Sequence, residues 1–366
     1  MKTFATFLFL LFLILKISCY AEDCPTTTTA NEDRRSDVEN FRLCHFNAKF
    51  LFDGNDDPSP SPWQNSTEAD KHYENVKELL APMECDMIHL AEVEDCPMLQ
   101  RLCDSLGSAY KPYMIHGTDT YTGQNVGIIT KIDPETNLTR STERVWFPVS
   151  GNECGYSGEA DDYGVSKNLY FKVKVSDLKI LVVGAHLRAF PTSPEPCARR
   201  EAQAVVIRDV IEQQGLSDGY EIIALGDFND YSDSVEDSSS NVPLSRSLKF
   251  MREGYENSTI TTSLFNVALK TTQENRYSSW YDRNSNDVDD GGNENTMIDH
   301  ILVSSGIYEK ITRVVEWHEY DIEDPYSSDH WPILVDISTL EESASDSFSL
   351  NVSILLTLFL LVFFNF

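Results

Sequence analysis

The chain has 366 residues, with 59 acidic against 29 basic side chains and a formal charge of −30. A surface this acidic repels phosphate backbones and offers no basic stripe. That excludes a standing nucleic-acid-binding module, but not an enzyme that meets nucleic acid briefly across a divalent cation. The length holds one large domain or two small ones.

Residues 1–21, MKTFATFLFLLFLILKISCYA, read as a secretory signal peptide. Lys2 opens it, Phe4 to Leu15 is an apolar core short for a bilayer span, and cleavage is expected after Ala21. Its removal takes away Lys2 and Lys16 and no acid, leaving −32. Residues 22–38 form a polar leader with a Thr run, and the folded domain is expected over 39–340. Phe41–Phe46 is a predicted strand, followed by the loop DGNDDPSPSPW. Helical spacing of Val76, Leu79 and Leu80 predicts a helix over Glu68–Leu80. Asp86–Ala91 is a strand, Cys96–Leu106 a helix, and Val126–Thr130, Asn168–Val175 and Lys179–Gly184 are strands. A long helix is expected over Arg199–Gln213, then strands at Glu221–Leu225, Met297–Val303 and Ile333–Ile337. Strands and helices alternate and then strands dominate, which predicts a layered α/β domain with mixed sheets.

The loop 283–296, RNSNDVDDGGNENT, reads as solvated, with a structural Ca²⁺ as the alternative, although it lacks EF-hand spacing. Residues 341–366 carry small residues at Ser343, Ala344, Ser345 and Ser347, a spacer, and an apolar tail at 352–366. This is the pattern of a glycosylphosphatidylinositol anchor signal, and with the signal peptide it places the expected protein at the cell surface or outside the cell. Asn65, Asn137 and Asn257 head sequons that a secreted chain would offer for glycosylation. Setting Cys19 aside leaves seven cysteines, so an oxidising compartment predicts disulfides with one thiol left over. Cys154 and Cys197, both in Pro/Gly-rich loops, are the expected pair. No CxxC spacing supports a structural zinc site.

Several predicted strands end in acids, amides or imidazoles. The first runs into Asn47, the second into Glu92, and Ile180–Ala185 into His186. Ile222–Leu225 runs into Asp227, Asn229 and Asp230; Asp299 heads Ile301–Val303, and Ser328-Asp329-His330 precedes Trp331-Pro332-Ile333. Each alone reads as a solvated strand end. Repeated, they converge if the strand ends share one edge. Glu92, Asp227 and Asn47 suit a hard cation such as Mg²⁺ through oxygens. Asp299 beside His330 makes an oriented acid–base pair. With no Ser or Cys nucleophile in an elbow, direct attack by water on a phosphoryl group is the chemistry these groups fit.

The ordered segments FNAKFLF, DMIHLAEVED, GVSKNLYFKV, VVGAHL, LGDFND, IDHILV and SSDHWPI resemble the endonuclease/exonuclease/phosphatase superfamily over about residues 39–339. The resemblance implies a four-layer α/β sandwich of two packed mixed β-sheets flanked by helices. It implies Mg²⁺ or Mn²⁺ held by Glu92 with Asn47, and Asp329 beside the metal. His330 and Asp299 would be the general base and its orienting carboxylate. His186 would bind the scissile phosphate or protonate the leaving oxygen, and Asp227 and Asn229 would orient water and phosphate. Lys167 stands where the pattern often has Arg, keeping the charge for phosphate but losing the two-pronged fork; Ala91 stands where it often has Gln. Arg188, Arg199 and Arg200 either bring charge to the substrate or are ordinary helix-start and surface residues.

Three functions stay open: a nuclease with DNA or RNA as transient substrate, a phosphoesterase acting on sphingomyelin headgroups or inositol phosphates, and a catalytically silent surface-binding protein. A fold does not choose among substrates. The membrane is expected as a partner through the lipid anchor, and no stable protein partner is expected.

Overall fold

Alternating side chains decide the architecture. In strand β1 (Asn40–Leu51), Phe41 and Leu43 face one layer, whereas Cys44, Phe46 and Ala48 face another. The computed structural model describes Cys24 and residues 32–340 except 56, 59, 260 and 261. The signal peptide, most of the polar leader and the anchor signal lie outside the described residues. Among the described residues no helix is long and apolar enough to cross a membrane.

One sheet runs, in spatial order, Ile311–Glu316 (β14), Ile333–Ser338 (β15), β1, Met87–Val93 (β2), Asn125–Thr130 (β4) and Lys111–Met114 (β3). The other runs Phe265–Asn266 (β10), Asp299–Val303 (β13), Glu221–Asp227 (β9), Leu178–His186 (β8) and Lys167–Val175 (β7). The β1/β2 and β8/β9 ladders are parallel and the rest antiparallel, so both sheets are mixed. Two small ribbons pair Arg144–Phe147 (β5) with Asp161–Gly164 (β6), and Ser279–Trp280 (β11) with Asn295–Thr296 (β12).

Leu43, Met87, Ile128 and Val335 of the first sheet pack on Val182, Ile223, Leu225 and Ile301 of the second. Fully burying one such side chain contributes roughly 1.5–3 kcal/mol. The opposite face of the first sheet is covered by helices α1 (Ser66–Leu80) and α2 (Cys96–Leu106). The opposite face of the second is covered by α3 (Pro194–Val210) and α4 (Ser247–Glu253). A short helix, α5 (Ser305–Lys310), places Ile307 against the inter-sheet core. The result is the four-layer α/β sandwich.

The differences from the sequence reading have local causes. Helix α3 starts at Pro194, five residues before the expected Arg199, because Pro in a first helical turn lacks only an N–H that would have no partner there. Strand β3 carries Pro112 and was not expected; it survives as an edge, bonded only to β4. The loop at 283–296 consumes its own acids. Asp282, just before it, accepts from the backbone of Ser285, Asn286 and Asp287, and Asp290 accepts from Asn284 and Asn286. Its carboxylates do not gather into a three-ligand group among the described residues.

Cys154–Cys197 forms as expected, joined by Cys24–Cys96 and Cys44–Cys85, with Cys103 buried as the unpaired thiol among the described residues. Asn65, Asn137 and Asn257 are all exposed. The Asn65 side-chain oxygen also caps α1 by accepting from the N–H groups of Thr67 and Glu68. Peptide mapping of the unreduced protein should give these three cross-links, with Cys103 alkylated only in denaturant. Removing the Cys154–Cys197 bond should cost about 4 kcal/mol on the chain-entropy account, read by chemical denaturation.

Candidate active site

The faces that form the inter-sheet core turn polar at one end. On β8, Ile180 and Val182 are followed at the same alternation by Gly184 and His186. On β9, Ile223 and Leu225 are followed by Asp227, and on β13 Asp299 precedes Ile301 and Val303. The ladders align these residues. Lys167 lies opposite His186, His186 opposite Asp227, and Asp227 opposite Asp299, giving one row across four strands. From the facing sheet, β1 brings Asn47, which donates through Nδ2 to Asp227 Oδ2 at 3.0 Å and to Glu92 Oε1 at 3.2 Å.

The local backbone is built for these positions. Glu92 sits at φ +62° and Asn229 at φ +51°, both in the left-handed region that costs a non-glycine residue energy. The register slips between Ala91 and Val93, so Glu92 leaves the regular alternation. Gly226 has φ +154°, and a Cβ there would lie 1.8 Å from the Ala185 carbonyl oxygen, so no other residue fits the turn into Asp227.

Asp299 is the hub. Its Oδ2 accepts from His330 Nδ1 at 2.7 Å and from Ser278 Oγ at 2.9 Å, and its Oδ1 is 2.8 Å from His45 Nε2. His45 Nδ1 is in turn 2.9 Å from His89 Nδ1. Burial alone would raise the Asp299 carboxyl, but the charge and hydrogen bonds of His330 and His45 hold it well below the usual carboxylate range. Burial likewise opposes charge on His330, yet Asp299, Asp227 and Asp329 raise it to about 10. Asp227 is pushed up to about 7 by burial, then by the charges of Asp299 and Glu92. Glu92 is raised by burial and by Asp329, against the pull of Lys167. His186 stays neutral because burial and the nearby Lys167 and His330 charges lower it.

Glu92 is braced on its other oxygen by Gln124 Nε2 at 2.5 Å and by the Phe50 N–H at 3.2 Å. Lys167 Nζ binds Gln124 Oε1 at 3.1 Å and Asp119 at 3.3 Å, which places its charge beside the acids. His186 Nε2 is 3.5 Å from Asp227 and 3.9 Å from Glu92, and its buried Nδ1 has no partner among the described residues. Asp329 is the most open member, 42% exposed, with Oδ1 4.0 Å from His330 Nε2.

The predicted residues Asn47, Glu92, Lys167, His186, Asp227, Asp299, Asp329 and His330 thus come together. Asn229 supports them less directly: its N–H donates to Asp227 Oδ1 and its Nδ2 to the Leu187 carbonyl. Asp230, grouped with Asp227 by the sequence reading, turns away. It is fully buried against Arg200 and Ser245. Arg200 is no surface residue: its guanidinium also donates to the carbonyls of Arg188, Phe190 and Pro191. It therefore clamps the loop after β8. Arg199 pairs with Glu195 and lies over the rings of Phe147 and Tyr163, whereas Arg188 is exposed at the site's rim. Sequence reasoning missed Gln124 and Ser278, which carry no local signal. It also gave no role to His45 and His89, although His45 shares the alternation of Asn47.

A groove of about 1140 Å³ opens from Glu92, Lys167 and His186 toward Arg140, Arg188 and the exposed Phe190. Asp227 and Glu92 are carboxyls held in a dry corner, each raised first by burial, Asp227 then by Asp299 and Glu92, and Glu92 by Asp329. A hard cation would relieve both, and the oxygen-rich donor set fits Mg²⁺ or Mn²⁺. A second acidic group, Asp53, Asp57 and Glu94, lies on the same edge, with Glu94 raised to about 8 by burial and its acidic neighbours.

No protein-family model matches this chain, and no curated protein matches it. Solved structures do. An endonuclease/exonuclease/phosphatase family protein from Leptotrichia buccalis C-1013-b aligns over 81% of this chain and 99% of its own, at 14% identity and a TM-score of 0.50. Truncated TDP2 from Caenorhabditis elegans covers 82% and 98% at 17% identity, with a TM-score of 0.49. TDP2 from D. rerio, complexed with single strand DNA product, covers 82% and 99% at 16% identity, with a TM-score of 0.47. The two packed mixed sheets, their flanking helices and the likeness to the Leptotrichia structure together give the chain the endonuclease/exonuclease/phosphatase superfamily fold.

Proposed function

We propose that this chain is a divalent-metal-dependent phosphodiesterase that hydrolyses nucleic acid by direct attack of water. The observation that carries the reading is the row Lys167–His186–Asp227–Asp299 facing Asn47 and Glu92 across the sandwich, with His330 hydrogen-bonded to Asp299. Glu92 and Asp329 would hold the cation, joined by Asn47 once its amide, whose Nδ2 now donates to Glu92 and Asp227, turns its oxygen inward. When bound, the cation neutralises phosphate oxygens and lowers the barrier to attack on phosphorus.

His330 spends Nδ1 on Asp299, which leaves Nε2 as its working nitrogen. That nitrogen is 4.0 Å from Asp227 Oδ2. A water held between them gives its proton to Asp227, because His330, held protonated by Asp299, is a donor there. His186, neutral and with a free nitrogen, suits hydrogen bonding to a phosphate oxygen. Lys167 supplies positive charge beside it. The groove favours a polymer over a small headgroup, because it extends past the acids to Arg140 and Arg188, whose guanidinium groups make no ion pair among the described residues. The three disulfides support an extracellular or cell-surface setting, where the signal peptide, glycosylation and lipid anchor expected from the sequence belong.

Plasmid DNA, single-stranded RNA, sphingomyelin and inositol phosphates should be offered with Mg²⁺ and with chelator. Cutting of DNA or RNA, abolished by chelator and lowered about 10²–10⁴-fold in His330→Ala, is the expected result. Turnover of a lipid or inositol substrate alone would replace the nuclease reading with the phosphoesterase one. Glu92→Gln should lose the rise in melting temperature that Mg²⁺ gives the wild type. No turnover and no such rise in the wild type would leave a silent binding protein.

The raised His330 gives a pH signature. A group whose folded pKa exceeds its unfolded value of about 6.5 stabilises fully below that value and loses the effect as pH climbs through the folded pKa. Chelated wild-type protein should therefore lose melting temperature as pH rises from about 7 to 10. His330→Ala should flatten that slope.

A further inference from the structure

The imidazole chain behind Asp299 has no part in the chemistry described above. His45 and His89 are each 0% exposed, on neighbouring positions of the parallel strands β1 and β2. A buried histidine often merely fills core space, but these two do not sit among apolar groups alone. They extend the His330–Asp299 pair by two rings, end to end.

The hydrogen-bond bookkeeping fixes their tautomers. Asp299 Oδ1 is a carboxylate oxygen and accepts, so His45 Nε2 carries the proton of that 2.8 Å bond. His89 is kept neutral by burial and by the neighbouring His45, so it has a single N–H. Its Nε2 has no hydrogen-bond partner among the described residues and faces Gly184 of the opposite sheet, where a Cβ would lie only 2.4 Å away. A proton on Nε2 would be a buried donor with no acceptor, which costs about 1–3 kcal/mol. The proton therefore sits on Nδ1 and is donated to His45 Nδ1 across 2.9 Å. That bond occupies the His45 lone pair and leaves its proton on Nε2.

We propose that His45 is a positioning residue for the hydrolytic pair, and that His89 locks it in the one tautomer that can hold Asp299. With Oδ1 tied to His45, the carboxylate cannot rotate, and Oδ2 stays in the plane where His330 Nδ1 finds it. Gly184 is part of the same device, since its missing side chain makes room for the His89 ring between the sheets. The inference rests on the hydrolase reading of the site.

Three proteins test it: wild type, His45→Leu and His45→Gln. Gln keeps an N–H near the place of Nε2, whereas Leu fills the space and donates nothing. In the metal-dependent hydrolysis assay, His45→Leu should lower kcat about 10–100-fold with KM within about twofold, and His45→Gln should recover most of kcat. Equal kcat in all three, or equal loss in Leu and Gln at matched melting temperature, would overturn the proposal and leave His45 a packing residue. Proton NMR reads the same chain without turnover. The downfield His330 Nδ1–H resonance should shift or broaden in His45→Leu and hold its position in His45→Gln. An inert wild type that still shows this NMR difference would sink the hydrolase reading and spare the positioning one. An unchanged resonance in His45→Leu would sink the positioning role whatever the activity.

Discussion

The structure depends on one constraint: two sheets share a single dry core, and each strand can point only alternate residues into it. Once Phe41 and Leu43 face the second sheet, His45 and Asn47 must face it too. Once Ile223 and Leu225 face the first, Asp227 must follow them inward. The polar residues at the strand ends are thus delivered by the phase of the core itself. A slip of one residue in β9 would carry Asp227 out to the helix side along with Leu225.

That delivery has a cost, because each buried polar group needs a partner. Asp299 has three, from His330, Ser278 and His45. Asp230 is answered by Arg200, which at the same time stitches down the loop carrying Arg188 and Phe190. Asp227 and Glu92 have donors too, but not enough to offset their burial. Asn47 bridges them, yet both stay raised by burial and by nearby carboxylates. An overall charge of −30 makes such a corner still less hospitable to anions. A cation entering it would settle the charge and turn the same corner toward phosphate.

The sequence exposed whatever alternation and strand-end chemistry can expose. Asn47, Glu92, His186, Asp227, Asp299 and His330 each close or open an apolar run, so they were legible before any coordinates. Asp230 was not, because the backbone turns at Asn229 into the left-handed region and sends the next side chain the other way. Arg200 stayed open between a substrate contact and a surface residue, because the carbonyls it satisfies belong to an irregular loop. Gln124 and Ser278 act across the sheet from loops or strand edges, where no period marks them. His45 lay on the readable face, but its partner Asp299 is 254 residues away and belongs to the other sheet. Only the packing of the two sheets reveals that pair.

The central claim is that the converging strand ends form one site for a divalent cation and a phosphodiester. Anomalous scattering from crystals soaked with Mn²⁺ tests it most directly, because it locates the ion without reference to any substrate. The account predicts a peak against Glu92, beside Asn47 and Asp329. A peak confined to Asp53, Asp57 and Glu94, or none at any Mn²⁺ concentration the crystals tolerate, would contradict it.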